Sequence, residues 1–167
     1  ALVPRRSAPD PLDDHGIVLV SWDVLVQDLP PVLSVGEIPA DFVPAPLGLR
    51  RSEVLSAVAA VVPGADVSDP SWVRLIGPEF HVEVNLGAGE QVDHFAFHSA
   101  GAMAPGVVAA VLAALGQLLL EVGRDAGGAL DALDKALKLD PASTTTRALR
   151  GRCLVELCRW DEARASL

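Results

Sequence analysis

Residues 120–167 read LEVGRDAGGALDALDKALKLDPASTTTRALRGRCLVELCRWDEARASL. Laid on itself at a shift of 34, this stretch places Leu120 on Leu154, Ala129 on Ala163 and Leu133 on Leu167. Apolar residues recur in it at helical spacing, and Pro141 interrupts the pattern midway. Ala129, Ala136, Gly151 and Ala163 are small enough to let helices approach closely. Leu120, Leu133 and Leu154 fill the space beside them. Pro141, with no N–H to donate, stops one helix so that the next can fold back. The stretch predicts helical hairpins in succession, with Leu167 falling inside the second helix of the second unit.

A 34-residue period in helical sequence is the signature of tetratricopeptide repeats, and the residues resemble that family's pattern. Ala129, Leu133, Ala136 and Pro141 stand at the small, large, small and terminating positions of its second helix. Gly151 and Leu154 stand at the small and large positions of the next first helix, and Arg159-Trp160-Asp161-Glu162-Ala163 resembles its turn. There are departures. Gln117 stands where a small residue is usual, Gly127-Gly128 weakens a helix start by about 1 kcal/mol per glycine, and the turn near Gly123-Arg124 falls one residue out of step. The resemblance implies a non-enzymatic adaptor or scaffold that binds another protein or a peptide in a groove lined by first helices. By position Leu154 packs, while Arg147 and Arg150 are the partner-binding candidates. Such repeats bury their faces on neighbours. The cut-off second unit is therefore expected to expose apolar surface and, in the natural protein, to be continued, to pack on its own N-terminal domain, or to self-associate.

Upstream the patterning changes. Ile17–Val26 is a short, β-branched strand. Five prolines between Leu29 and Leu49 exclude a helix interior or a central strand there and predict an extended loop. Ser52–Val62 is an amphipathic helix with Ser52 as N-cap, ended by Pro63-Gly64. A loop through Asp66, Ser68, Asp69 and Pro70 follows, then strands at Trp72–Ile76, Phe80–Leu86 and Val92–His98. The last two alternate and are joined by Gly87-Ala88-Gly89-Glu90, a hairpin. Keeping like faces together pairs Val82 with Phe97 and Val84 with Phe95, and so His81 with His98 and Asn85 with His94. After a break at Gly101–Pro105 the chain is helical. The fold class is α+β: residues 1–11 a tail, added or trimmed, with Leu-Val-Pro-Arg at 2–5 matching a thrombin site; 12–103 a small antiparallel sheet with a helix; 104–167 all-α repeats. Four phrases, Glu37–Phe42, Ser68–Trp72, Gly77–Phe80 and Val82–Gly87, also resemble a widespread family of small uncharacterised bacterial proteins. That likeness implies an α+β domain and carries no activity.

The net charge of −9, with Arg147, Arg150, Arg152, Arg159 and Arg164 interleaved with acids, argues against a nucleic-acid partner. The apolar run Val107–Leu120 is shorter than the roughly 20 residues a membrane span needs, and no signal peptide is visible. Cys153 and Cys158, five apart on a helix, point to different faces and suit neither a disulfide nor zinc. They read as reduced packing residues in a cytoplasmic protein. No cofactor motif is present: Gly87-Ala88-Gly89 lacks the lysine and helix of a phosphate loop. The alternative with chemistry in it is a metal-dependent enzyme using His81, Glu83 and His98, with His94 nearby, on the polar face of the hairpin. A further alternative is an immunity or regulatory protein that binds its ligand through the α+β domain.

Overall fold

The computed structural model describes residues 21–27, 39, 41–43, 45–123 and 125–166. The expected tail, the start of the first strand before Ser21, most of the proline-rich loop, and Arg124 and Leu167 lie outside these residues. Seven strands are described: β1 Trp22–Gln27, β2 Leu49–Arg50, β3 Asp66–Asp69, β4 Trp72–Gly77, β5 Phe80–Asn85, β6 Gln91–Val92 and β7 His94–Ala100. β1, β7, β5, β4 and β3 form one antiparallel sheet in that order, and β2 pairs with β6 in a separate ribbon. The helices are α1 Arg51–Val61, α2 Ala104–Leu118, α3 Ala126–Leu139, α4 Thr144–Glu156 and α5 Trp160–Ser166, with a π-helical turn at Leu119–Gly123 joining α2 towards α3. The α+β class follows directly.

The hairpin differs from expectation in register. Val82 lies opposite Ser99 and Val84 opposite Phe97, two residues from the expected pairs. An even shift leaves every side chain on its expected face, so the alternation was read correctly while the partners were not. The cause is local. Gln91 and Val92 leave the hairpin to pair with Arg50 and Leu49, and the Leu47 N–H donates to the Val92 carbonyl at 2.9 Å. β7 therefore begins only at His94. The turn itself is built as its glycine suggests: Gly87 has φ +73°, and its N–H donates to Asn85 Oδ1 at 2.8 Å.

Two further expectations are corrected. Ser52 lies inside the first turn of α1 and does not cap it. The cap is Arg50, whose backbone N–H donates to Glu53 Oε2 at 2.8 Å. The loop expected at Asp66–Pro70 is partly an edge strand, bulged between its pairs with Arg74 and Trp72. Its turn chemistry is present all the same: Asp66 accepts from the Ser68 N–H and Asp69 from the Ser71 N–H. These contacts bend the edge, and a bent, charged edge resists pairing with another sheet.

One apolar core runs through the described residues. Val24, Val26, Val73, Leu75, Val82, Val84, Phe95 and Phe97 form the inner face of the sheet. It is covered by Val54 and Val58 of α1 and by Val108, Val111, Leu112 and Leu115 of α2, and it continues through Leu119 and Leu120 to Ala129, Leu133, Ala136, Cys153, Leu154 and Ala163. Helix continues from Ala104 to Val122, so this segment is, by length and composition, long enough to cross a membrane; the expectation that it is too short is corrected. Its place here is between the sheet with α1 on one side and α3 on the other. Val108, Val111, Leu112, Leu115 and Leu119 are the buried part of this apolar surface, and 44% of an 18-residue window of it lies inside the fold.

The repeat geometry explains its own irregularity. A Cβ on Gly116 would stand 2.7 Å from Leu133 Cγ and 3.3 Å from the Ala129 carbonyl. The small residue at the α2–α3 crossing is thus Gly116, not the neighbouring Gln117. Thirteen residues separate Gly116 from Ala129, but twelve separate Gly151 from Ala163. The π turn between them takes up the extra residue, as π turns within helices do. Counted from the glycine, Leu119, fully buried, is the counterpart of Leu154. Gly128 is no weakness either: its N–H donates to the capping Asp125 Oδ1 at 2.9 Å, and a Cβ there would collide with the Asp125 carboxylate.

Candidate protein-binding face

Helix α4 starts from an N-cap at Ser143, whose hydroxyl accepts from the Thr146 N–H at 3.3 Å. It ends in a left-handed residue, Cys158 at φ +58°, with the Arg159 N–H returning to the Leu154 carbonyl at 2.8 Å. This six-to-one bond is that of a Schellman cap. It reverses the chain so that α5 lies back along α4. Gly151, Cys153 and Leu154 face inward from α4 and Ala163 from α5, all buried. Burial pushes the Cys153 thiol up to about 11, so it is held protonated among apolar neighbours.

The two basic candidates separate. Arg150 Nε donates to Asp134 Oδ1 of α3 at 2.5 Å and is half-buried. It ties α4 to the preceding hairpin. Arg147 is exposed, its guanidinium donating to the Ala142 carbonyl at 3.2 Å. Arg152 reaches Glu121, within the π turn, at 3.3 Å and Glu156 at 3.5 Å. Between α4 and α5 lies an open groove of about 400 Å³, lined by Ala148, Gly151, Arg152, Val155, Trp160, Ala163 and Arg164. Trp160 and Val155 leave 54% and 41% of their surface exposed. Sequence reasoning had Trp160 only as part of a turn. The signal for more was a large aromatic at a helix start, with a valine in the last turn of the helix beside it.

His81, His94 and His98 sit on the outer face of the sheet. One row crosses all five strands: Asp23, His98, Glu83, Arg74 and Asp66 stand opposite one another in turn. Within the row, His98 Nδ1 is 2.9 Å from Asp23 Oδ1 and Arg74 Nε 3.7 Å from Glu83 Oε1. The imidazole of His98 stacks on Trp72, ring centres 5.7 Å apart. His81 lies opposite Ala100, not His98, and reaches Glu83 at 3.5 Å. His94 pairs with Asp93 at 2.6 Å. The register shift thus separates His81 from His98. Among the described residues no three His, Cys, Asp or Glu side chains converge as a metal site would require. What the row does is set each carboxylate opposite a basic side chain across the sheet.

The helical segment is where the chain meets a known family. A tetratricopeptide repeat family model matches residues 124–167. The match takes in α3, α4 and α5, the second helix of one hairpin and both helices of the next. No curated protein and no solved structure matches the chain. The tetratricopeptide match lies wholly after the sheet, and nothing in these comparisons supports the N-terminal resemblance to small bacterial proteins.

Proposed function

We propose that this chain is a non-enzymatic adaptor or scaffold that binds another protein or a peptide through its tetratricopeptide-like helices. The observation carrying this reading is the tetratricopeptide match over residues 124–167, on helices that leave an apolar groove open to solvent. Repeats of this kind present surfaces, and their chemistry is recognition. The acidic average charge directs the reading towards a protein partner and away from nucleic acid. The two cysteines, one sunk in the core and one exposed and free, suit a reducing cytoplasmic setting, which is part of the proposal.

Site-specific photo-crosslinking in the full chain tests it. A photoreactive residue at Arg147 samples the helical hairpin, and one at Arg74 samples the outer face of the sheet. The proposal expects partner adducts from position 147. Adducts from position 74 alone would overturn it and move binding to the sheet, as an immunity or regulatory protein would have it.

A further inference from the structure

The α2–α3 and α4–α5 hairpins close by matching bonds. In the later hairpin the Arg159 N–H returns to the Leu154 carbonyl at 2.8 Å, and the Arg159 carbonyl accepts from the Ala163 N–H at 3.0 Å. In the earlier one the Asp125 N–H returns to the Leu119 carbonyl at 3.0 Å, and the Asp125 carbonyl accepts from the Ala129 N–H at 2.9 Å. Leu119 and Leu154 are thus counterparts, and so are Asp125 and Arg159. Between them stand residues 155–158 in the later connection and 120–124 in the earlier. The earlier connection is longer by one residue, and the π turn Leu119–Gly123 falls within it.

Leu120, Glu121, Val122 and Gly123 answer in order to Val155, Glu156, Leu157 and Cys158. With Asp125 answering to Arg159, Arg124 is left over. The residue types on either side of it suit the shorter closure. Cys158 holds the left-handed turn of the later connection at φ +58°, a conformation that strains a residue with a side chain and suits glycine. Its counterpart is Gly123. Arg159 stands before α5, where a short polar side chain caps a helix best. Its counterpart Asp125 already does this for α3, accepting from the Gly128 N–H at 2.9 Å. Without Arg124 the earlier connection would carry glycine and aspartate at the two positions where the later one makes do with cysteine and arginine.

We infer that the π turn is a slack device built into the α2–α3 hairpin. It stores one residue, Arg124, that the hairpin does not need in order to close, so this connection can change length by one without shifting α2 on the sheet or α3 in the repeat. Single-residue deletions in the full chain test it. Removal of Arg124 is expected to leave the circular dichroism spectrum unchanged and the thermal midpoint equal or higher. Removal of Leu157 takes one residue from the later connection, which has none to spare. Leu157 is 37% exposed, so little packing goes with it, yet the midpoint is expected to fall. The form of the closure is read by Gly123→Ala. In the shortened chain residue 123 stands at the left-handed position of Cys158, so alanine there is expected to lower the midpoint by more than it does in the native chain. A midpoint lowered by the removal of Arg124 would overturn the inference, as would a shortened chain that does not fold. Tolerance of the Leu157 deletion would overturn it too, because the spare length would then have nothing to do with the π turn. So would an equal effect of Gly123→Ala in the native and shortened chains, because the earlier connection would then not close as the later one does.

Discussion

Cys158 holds φ +58°, and among the described residues it is the non-glycine residue that does so. The left-handed region brings Cβ against the carbonyl oxygen and costs about 1–2 kcal/mol for a residue with a side chain. Glycine removes that cost and gives part of it back as extra freedom in the unfolded chain. Cys158→Gly is therefore expected to stabilise the fold by about 1 kcal/mol or somewhat less, seen as a higher urea midpoint. A lower midpoint would mean that the thiol makes a contact outweighing the strain. The two thiols should also differ in reactivity. Cys153 is fully buried, its thiol pushed up to about 11, while Cys158 is exposed. Titration with a thiol reagent should modify one cysteine in the native protein and the second only on unfolding. Both positions were visible in the sequence as unpaired helix cysteines. Their difference was not, because it depends on where α4 ends, and a left-handed cap without glycine gives no compositional sign.

Helix α2 and its π turn set the elements in place. Gly116 meets Leu133 and the Ala129 carbonyl at distances that leave no room for a methyl group. Gly116→Ala must push α3 aside, and overpacking of this kind costs about 1–3 kcal/mol. The expected result is a lowered thermal midpoint, with Gln117→Ala, one residue away and exposed, as the near-neutral control. The repeat was legible because small residues at fixed spacing survive in the sequence. The extra residue was not placed, because Leu118, Leu119 and Leu120 are alike and periodicity cannot choose among them. The sheet carries a parallel lesson. Alternation in Phe80–Asn85 and His94–Ala100 fixed the faces, yet a two-residue slip is invisible to alternation. Gln91 and Val92 continue the same pattern while pairing elsewhere, and their partner strand is two residues long, below what pattern reading detects.

At the scale of the whole molecule the sheet and the repeat helices share one core through α2, so surface charge is left to modulate stability. Hydrogen bonds from Ser68 hold the Asp66 carboxyl below its ordinary value of 3.8, those from Ser71 do the same for Asp69, and the Arg159 guanidinium lowers Glu162 from 4.5. A carboxyl whose folded value lies below its unfolded one adds stability above the unfolded value and loses it as pH falls through the folded one. The thermal midpoint should therefore drop as pH descends below about 4. A chain carrying Asp69→Asn and Glu162→Gln should show a shallower acid loss from a lower starting point. The candidate face was partly legible at this scale: the small and large positions of the repeat stand in the sequence, whereas the pairing of Arg150 with Asp134, which takes Arg150 out of the set of free cations, needed the packing of α4 on α3. The most direct test of the account is affinity capture with the full chain beside a variant carrying Arg147→Glu, Val155→Glu and Trp160→Glu, three exposed positions whose replacement should leave the core intact. The account predicts that the proteins retained by the native chain are lost by the folded variant. Retention of the same proteins by both would contradict it and assign recognition to the sheet.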